Sequence, residues 1–356
     1  MPTVDLVRTN GGARVYRIPM ELFPGFQGFA HLICSEESQV LMDVGSGFGD
    51  SDAHLQAGLE VVRSDYGEPV DWDSLSAIII SHGHIDHFGG LPFVRQHSRA
   101  PVGVHELDLH VLANYEQRLA IVARRLRLFL AEAGVDEVRR QELMELYLLN
   151  KNLFASQPVD FTFESAGMQV GPLALLHVPG HCPGQIVARI DDVLLTSDHV
   201  LPRTSPHQAP EVLSHYTGLG HYLESLERVV RWGGSTRRAL GGHEPPFEDL
   251  PGRVAAIRRV HAERLERVLE QMRAPCSVAD VTAALFPNVG GYDVLMALEE
   301  AGAHVEYLAQ RGFLGIVNLH ELESESPVPI RYRRLDTPTS TRPLLPDGPQ
   351  GGAAAG

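Results

Sequence analysis

Short runs of branched apolar residues, each closed by Gly or Ser, fill the first hundred positions. They are RVYRI (14–18), AHLIC (30–34), QVLMDVG (39–45) and AIIIS (77–81). Their length and β-branched content predict strands. Between the last two lies DSDAHLQAGLEVVRSDYG, whose apolar spacing predicts a helix. From about 106 to 156 the pattern changes to ELDLHVLANYEQRLAIVARRLRLFLAEAGVDEVRRQELMELYLLNKNLF. It has helical periodicity and no proline, and predicts two or three helices inserted between β-rich halves. Such helices form either a packed layer or an apolar wall over a site. Strand signals return at FTFES (161–165), GMQVGPLALLHV (167–178), QIVARI (185–190) and DVLLTSD (192–198). The helical segment 218–232 and the short run RRALGGHE (237–244) follow. From about 249 to 325 the order is helix, helix, helix and β-ribbon, and from 335 the chain is rich in Pro, Gly and Ala. That composition predicts a disordered tail. The expected division is therefore 1–248, 249–334 and 335–356.

Composition narrows the setting. The 356 residues are 44% hydrophobic and 21% charged, as in ordinary globular proteins. No run approaches the roughly 20 apolar residues of a membrane span, and the N-terminus lacks the basic start and apolar core of a secretory signal. Three scattered cysteines form no disulfide framework, so a cytoplasmic location is expected. A net charge of −15 disfavours nonspecific binding to nucleic acid or anionic lipid. The eighteen histidines, several of them clustered, point to metal chemistry.

The densest cluster is Ser81-His82-Gly83-His84-Ile85-Asp86-His87, directly after the strand AIII. Three imidazoles and a carboxylate within six residues are costly in a core, because each needs a polar partner there. On a strand-to-helix loop they can turn inward together and bind cations. Gly89-Gly90 lets the backbone fold closely around them. Further ligands are expected at other strand ends. His181 lies in the Pro-Gly turn VPGHCPGQ, Asp198 closes DVLLTSD, and His243 follows RRALGG. Taken singly, each reads as a turn residue or a satisfied polar group. Together, in this order, they read as a ligand set.

HxHxDH, then PGHxxGQ, then a strand-terminal Asp, then GGH, resembles the metallo-β-lactamase superfamily across residues 14–250. The resemblance implies a four-layer αββα sandwich with two metal ions at one edge. One ion takes His82, His84 and His181. The other takes Asp86, His87 and His243, and Asp198 bridges the pair. Asp43 in LMDVGSG matches a supporting aspartate. Two divalent ions, with zinc the leading candidate and iron or manganese compatible, activate a shared water as hydroxide. Asp86 is the candidate for orienting that nucleophile and taking up its proton. His199, His207 and Tyr216, in the segment after Asp198, are candidates for substrate contacts or bracing, with local hydrogen bonding an equal reading. Cys182, next to His181, reads as a packing thiol before a soft ligand.

The C-terminal helices and SDHVLPRTSPH resemble the glyoxalase-II-like and LACTB-like branch with its winged-helix appendage. Residues 251–325 hold seven arginines and no lysine against eleven acidic residues, a formal balance of −4. That is a poor electrostatic footprint for RNA, so packing or dimer contacts are the expected role. The expected reaction is hydrolysis of an ester-like bond in a small molecule: a thioester, carboxylic ester or lactone. The alternatives are a phosphodiester or phosphotriester hydrolase, an RNA endonuclease, and a mononuclear iron persulfide dioxygenase. The expected partners are the small-molecule substrate, no nucleic acid and no membrane, with a homodimer allowed.

Overall fold

The apolar runs become two sheets that share one core. A computed structural model of the chain describes residues 3–151, 154–324, 326–336 and 344–345. The first sheet contains β1 (Asp5–Arg8), β2 (Arg14–Phe23), β3 (Phe26–Cys34) and β4 (Gln39–Met42), joined as an antiparallel meander. It continues in parallel through β5 (Ala77–Ile79), β6 (Val102–Val104) and β7 (Phe161–Thr162). Parallel neighbours need crossovers. Helix α1 (Ser51–Ser64) connects β4 to β5, and α2 (Ile85–Phe88) with α3 (Leu91–His97) connects β5 to β6. Helices α4 (Glu106–Ala113), α5 (Tyr115–Glu132) and α6 (Glu137–Lys151) lie between β6 and β7.

The second sheet is an antiparallel meander of β8 (Gln169–Val170), β9 (Leu173–His177), β10 (Ile186–Ile190) and β11 (Val193–Ser197). After α7 (Leu219–Trp232), β12 (Arg238–Gly241) adds in parallel to β11. The run 167–178, expected as one strand, is split in two by Gly171, whose φ of +52° turns the chain between β8 and β9. Val15, Ile33, Val40, Met42 and Ile79 from the first sheet meet Leu175, Ile186, Ala188, Leu195 and Leu240 from the second in one buried cluster. The alternation of each strand, with every second side chain turned inward, builds this sandwich. Helices accompany both sheets, which gives the αββα architecture.

By packing, the chain divides into two compact units. One is Met1–Arg118, Phe154–Pro206 and Arg228–Arg253; the other is Leu119–Leu153, His207–Glu227 and Val254–Gly356. The second unit includes most of α8 (Leu250–Gln271), α9 (Val278–Leu285), α10 (Asp293–Gln310), and the ribbon of β13 (Leu314–Ile316) with β14 (Tyr332–Arg334). The unit also takes in 119–153 and 207–227. The amide of Ala279 donates to Ala133 O at 2.8 Å, Ile330 N to Glu132 O at 2.8 Å, and Gln208 N to Glu300 Oε2 at 2.7 Å. The helical run 106–156 is therefore shared between the units. The segment 335–356, expected to be disordered, lies largely outside the described residues. No helix among the described residues is long and apolar enough to cross a membrane.

Within the second unit a buried polar network joins His261, His304 and Glu300. His261 Nδ1 lies 3.1 Å from His304 Nε2, and His304 Nδ1 donates to Glu300 O at 2.7 Å. Arg264 donates to Glu300 Oε1 at 2.6 Å. The three side chains lie close enough to hold a cation, but the guanidinium already neutralises the only carboxylate of the group.

Candidate metal centre

The loop after β5 and the short helix α2 carry His82, His84, Asp86 and His87. The loop from β9 to β10 carries His181, the residue after β11 is Asp198, and the loop after β12 carries His243. All emerge at matching strand ends of the first unit and form two groups. His82, His84, His181 and Cys182 each offer a ligand atom within 4.8 Å of the others. So do Asp86, His87, Asp198 and His243.

Asp198 Oδ2 lies between the groups. It stands 3.3 Å from His243 Nε2, 3.5 Å from His87 Nε2 and 3.9 Å from His181 Nε2. Asp86 Oδ2 lies 3.3 Å from His243 Nε2 and 3.6 Å from His87 Nε2. In the other group His82 Nε2 is 3.0 Å from His84 Nδ1, and the His84 and His181 ring centroids are 4.5 Å apart. These are the separations of donors that share a small cation.

The outward nitrogens of several rings are anchored. His87 Nδ1 faces Asp43 Oδ2 at 2.8 Å, and His243 Nδ1 donates to Gln27 O at 2.8 Å. A carbonyl can only accept, so Nδ1 of His243 keeps its proton and Nε2, facing the group, is the nitrogen that can ligate once deprotonated. Ser81 Oγ stands 3.0 Å from His82 Nδ1 and donates to Asp43 Oδ2 at 2.8 Å. Asp43 and Ser197, beside the two groups, hold left-handed φ values of +63° and +45°, as does Glu244 at +63°. Strain in non-glycine residues persists where surrounding structure fixes it, often at functional sites.

Charge defines what the pocket attracts. Burial pushes the His82 pKa well down, reinforced by neighbouring imidazoles. Burial acts the same way on His87 and His243, yet the Asp198 carboxylate, with Asp43 and Asp86 at His87 and Asp86 at His243, overrides it. The His87 pKa is driven well up and that of His243 is raised to about 10. Burial opposes ionisation of Asp86 and Asp198 as well, and the paired imidazoles hold both pKa values down nonetheless. Two clustered carboxylates thus demand positive charge, which protons or cations can provide. Asp198 Oδ1 is buried with no hydrogen-bond partner among the described residues, and a Cβ on Gly242 would fall 2.5 Å from it and 2.8 Å from His87 Cε1. Nitrogen-rich and mixed nitrogen–oxygen donor sets with an unsatisfied carboxylate oxygen fit divalent cations.

The remaining candidates belong to neither group. His199 is buried in the turn after β11, where its amide donates to Thr196 O at 3.0 Å, and it joins neither ligand group. His207 belongs to the second unit and stands 3.0 Å from Glu299 Oε2 and 3.5 Å from Glu300 Oε2. Tyr216, also in that unit, is 47% exposed with a φ of +67°. Sequence reasoning missed Phe26, whose exposed ring lies 4.7 Å from the ring of His243. It follows the β2–β3 turn and pairs with Phe23, which in turn lies 5.9 Å from exposed Phe48. An aromatic pair flanking a hairpin turn carries no periodic signal.

Paired sheets with His and Asp side chains converging at one edge define the class. The profile of the metallo-beta-lactamase superfamily matches residues 23–243, and the chain belongs to that superfamily. Its fold is similar to that of a metallo-beta-lactamase family protein from Thermus thermophilus. Identity is 23% and the TM-score 0.68, covering 90% of this chain and 98% of that one. A beta-lactamase domain protein from Burkholderia ambifaria gives 21% identity and a TM-score of 0.70, covering 93% and 94%. Among curated proteins, 78 residues are 32% identical to ribonuclease J 1 of Streptococcus pyogenes serotype M3. The match spans 22% of this chain and 13% of the length of that relative.

Proposed function

We propose that the chain is a binuclear metallohydrolase that cleaves an ester-like bond (thioester, carboxylic ester or lactone) in a small molecule. The observation that carries this reading is the Asp198 carboxylate set between two ligand groups, beside an exposed apolar ring, Phe26, packed on His243. His82, His84 and His181 would hold one divalent ion, and Asp86, His87 and His243 the other, with Asp198 shared. Zinc suits this donor set, and iron and manganese are compatible. When bound, the pair supplies Lewis acidity and brings the pKa of water toward about 7.

The chain's own residues do the rest. Asp86 stays partly open to solvent, with 16% of its side chain exposed, so its carboxylate can orient the attacking water and accept a proton. Asp43 and the Gln27 carbonyl fix the rings of His87 and His243, so both Nε2 atoms face the reacting centre. Phe26, with Phe23 and Phe48 behind it, offers an apolar surface to an acyl or alkyl group. Cys34, Cys182 and Cys276 form no disulfide among the described residues, which suits a reducing cytoplasm. The helices α8–α10 with the β13–β14 ribbon read as a winged-helix-like module for packing or dimer contacts. The acidic balance of this region argues against an RNA track.

The test is elemental analysis of the purified chain, coupled to a panel of thioesters, lactones, aryl esters and phosphodiesters. The expected result is two divalent ions per chain and turnover of ester-like substrates, abolished by His181→Ala and by Asp86→Ala. Turnover of phosphodiesters alone would favour the ribonuclease-like reading. One iron per chain with oxygen uptake on a persulfide would favour the dioxygenase.

A further inference from the structure

Helix α4 carries one acidic side chain that touches both loops of the three-histidine group. Asp108 is fully buried. Its Oδ2 accepts from Gly83 N at 2.8 Å, and its Oδ1 accepts from Gly184 N at 3.0 Å. Gly83 separates His82 from His84, and Gly184 lies three residues after His181. One carboxylate thus joins the tips of two loops about a hundred residues apart in sequence, one oxygen to each. Their bases are joined separately, by Ile186 N donating to Ser81 O at 2.9 Å. Two points of attachment fix both the separation and the tilt of the loops; one would leave a hinge.

Helix α4 is itself held in register. The His105 side chain accepts from Leu107 N at the helix start. Its ring stacks on His177 at 3.7 Å, and its Nε2 lies 2.7 Å from Glu164 Oε1. His177 Nε2 donates to Pro183 O at 2.7 Å, next to Gly184. Contact is close on both loops. A Cβ on Gly83 would lie 2.9 Å from Val111 Cγ1, and one on Gly184 would lie 2.6 Å from Asp108 Cγ. Burial raises the Asp108 pKa to about 6, with Arg118 and the two amides countering only in part. Burying a carboxylate against that penalty is a poor way to fill a core.

We infer that Asp108 is a positioning residue that sets the spacing of His82, His84 and His181 by clasping Gly83 and Gly184 together, and thereby tunes the affinity of that ligand group for its ion. The inference rests on assigning those three histidines to one ion. It leaves the group of Asp86, His87, Asp198 and His243 unaffected. Asparagine has nearly the same shape but only one acceptor oxygen, so Asp108→Asn satisfies one amide and opposes the other.

The experiment titrates cobalt(II) into the metal-depleted full-length chain and its Asp108→Asn, Asp108→Ala and His181→Ala variants. It follows visible absorption for each site, and thermal melting of every metal-free form. The expected result for Asp108→Asn is a roughly 10–100-fold weaker affinity at the three-histidine site, of the size found for outer partners of metal ligands. The other site keeps its affinity, and the melting temperature stays near that of the parent. Asp108→Ala should match or exceed that loss; if it does not fold, Asp108→Asn decides. Equal weakening of both sites, or unchanged binding with Asp108→Asn, overturns the clasp. His181→Ala separates the two readings. If it leaves the same absorption band intact, the ligand assignment fails, whatever Asp108 does.

Discussion

Asp43 Oδ2 lies 2.8 Å from His87 Nδ1, with both side chains almost wholly buried, and the aspartate holds a backbone φ of +63°. Its other oxygen accepts from Ser81 N at 2.7 Å. One residue thus links the end of β4, the start of the histidine loop and a ring of the second ligand group. Aspartate and asparagine tolerate the left-handed conformation better than other side chains with a Cβ. Asp43→Asn should therefore fold, yet lower affinity at the His87 site about 10–100-fold. Asp43→Ala should lose the same affinity and a further roughly 1–2 kcal/mol of stability from backbone strain. Metal stoichiometry and urea midpoints, measured side by side, separate the two effects. Equal stability of the two variants would remove the strain component.

Gly242 offers a steric test of the same centre. A methyl group there would stand 2.5 Å from Asp198 Oδ1 and 2.8 Å from His87 Cε1, and neither side chain can retreat without leaving its group. Gly242→Ala should lower metal affinity at least about tenfold and lower turnover with it, while circular dichroism of the folded chain stays unchanged. Full metal content in this variant would show that the loop after β12 relaxes more freely than its contacts suggest.

The residues that meet in two His and Asp groups were legible in the sequence because cation chemistry needs His and Asp together, and such side chains stand out on loops that follow apolar strands. The strands were legible for a related reason: AIII and VLLTS are buried runs with few other interpretations. Asp108 was not legible, because a lone aspartate in the first turn of a helix is ordinary and its partners are backbone amides. Phe26 was hidden in the same way, as an aromatic residue in a surface hairpin. The assembly of the second unit leaves no local signal, because Ala133 meeting Ala279, or Glu132 meeting Ile330, is a long-range pairing. Local periodicity reports which face of an element is apolar, but not what covers it.

Away from the metal centre, Glu68 anchors β2. Arg14 grips it with two nitrogens, Nη2 to Oε1 at 2.7 Å, and Tyr16 Oη donates to Oε2 at 2.7 Å. The hydrogen bond from Arg14, ahead of burial which opposes it, holds the Glu68 pKa below its ordinary 4.5. A carboxylate with a lowered folded pKa stabilises the protein above its unfolded value, and that contribution fades as pH falls through the folded value. Glu68→Gln should thus cost about 1.5–3 kcal/mol at neutral pH, with the difference shrinking as pH falls below 4.5 and through the lowered folded value. Urea midpoints of both proteins across that range give the comparison. A constant gap at all pH values would assign the loss to packing.

The His261–His304 pair predicts a pH response of the second unit, with the opposite origin. Burial first, then the charge of His304, depresses the His261 pKa to about 3, and burial lowers His304 too. In the unfolded chain both rings take up protons near about pH 6.5. Below that value the unfolded state binds more protons than the folded one, so stability must fall as pH drops. His207 works against this trend, because Glu299 overcomes burial to raise its pKa; its contribution is present at low pH and lost as pH rises through the folded value. His261 and His304 thus lower stability on acidification, and His207 pulls the other way. His261 alone should account for about 2 kcal/mol between pH 7 and pH 5, and His261→Gln should flatten the slope by that amount. The readout is the denaturant midpoint at each pH, followed by near-ultraviolet signals of the second unit. A slope that His261→Gln leaves unchanged would locate the acid sensitivity in other groups, since a glutamine at that position cannot take up the proton.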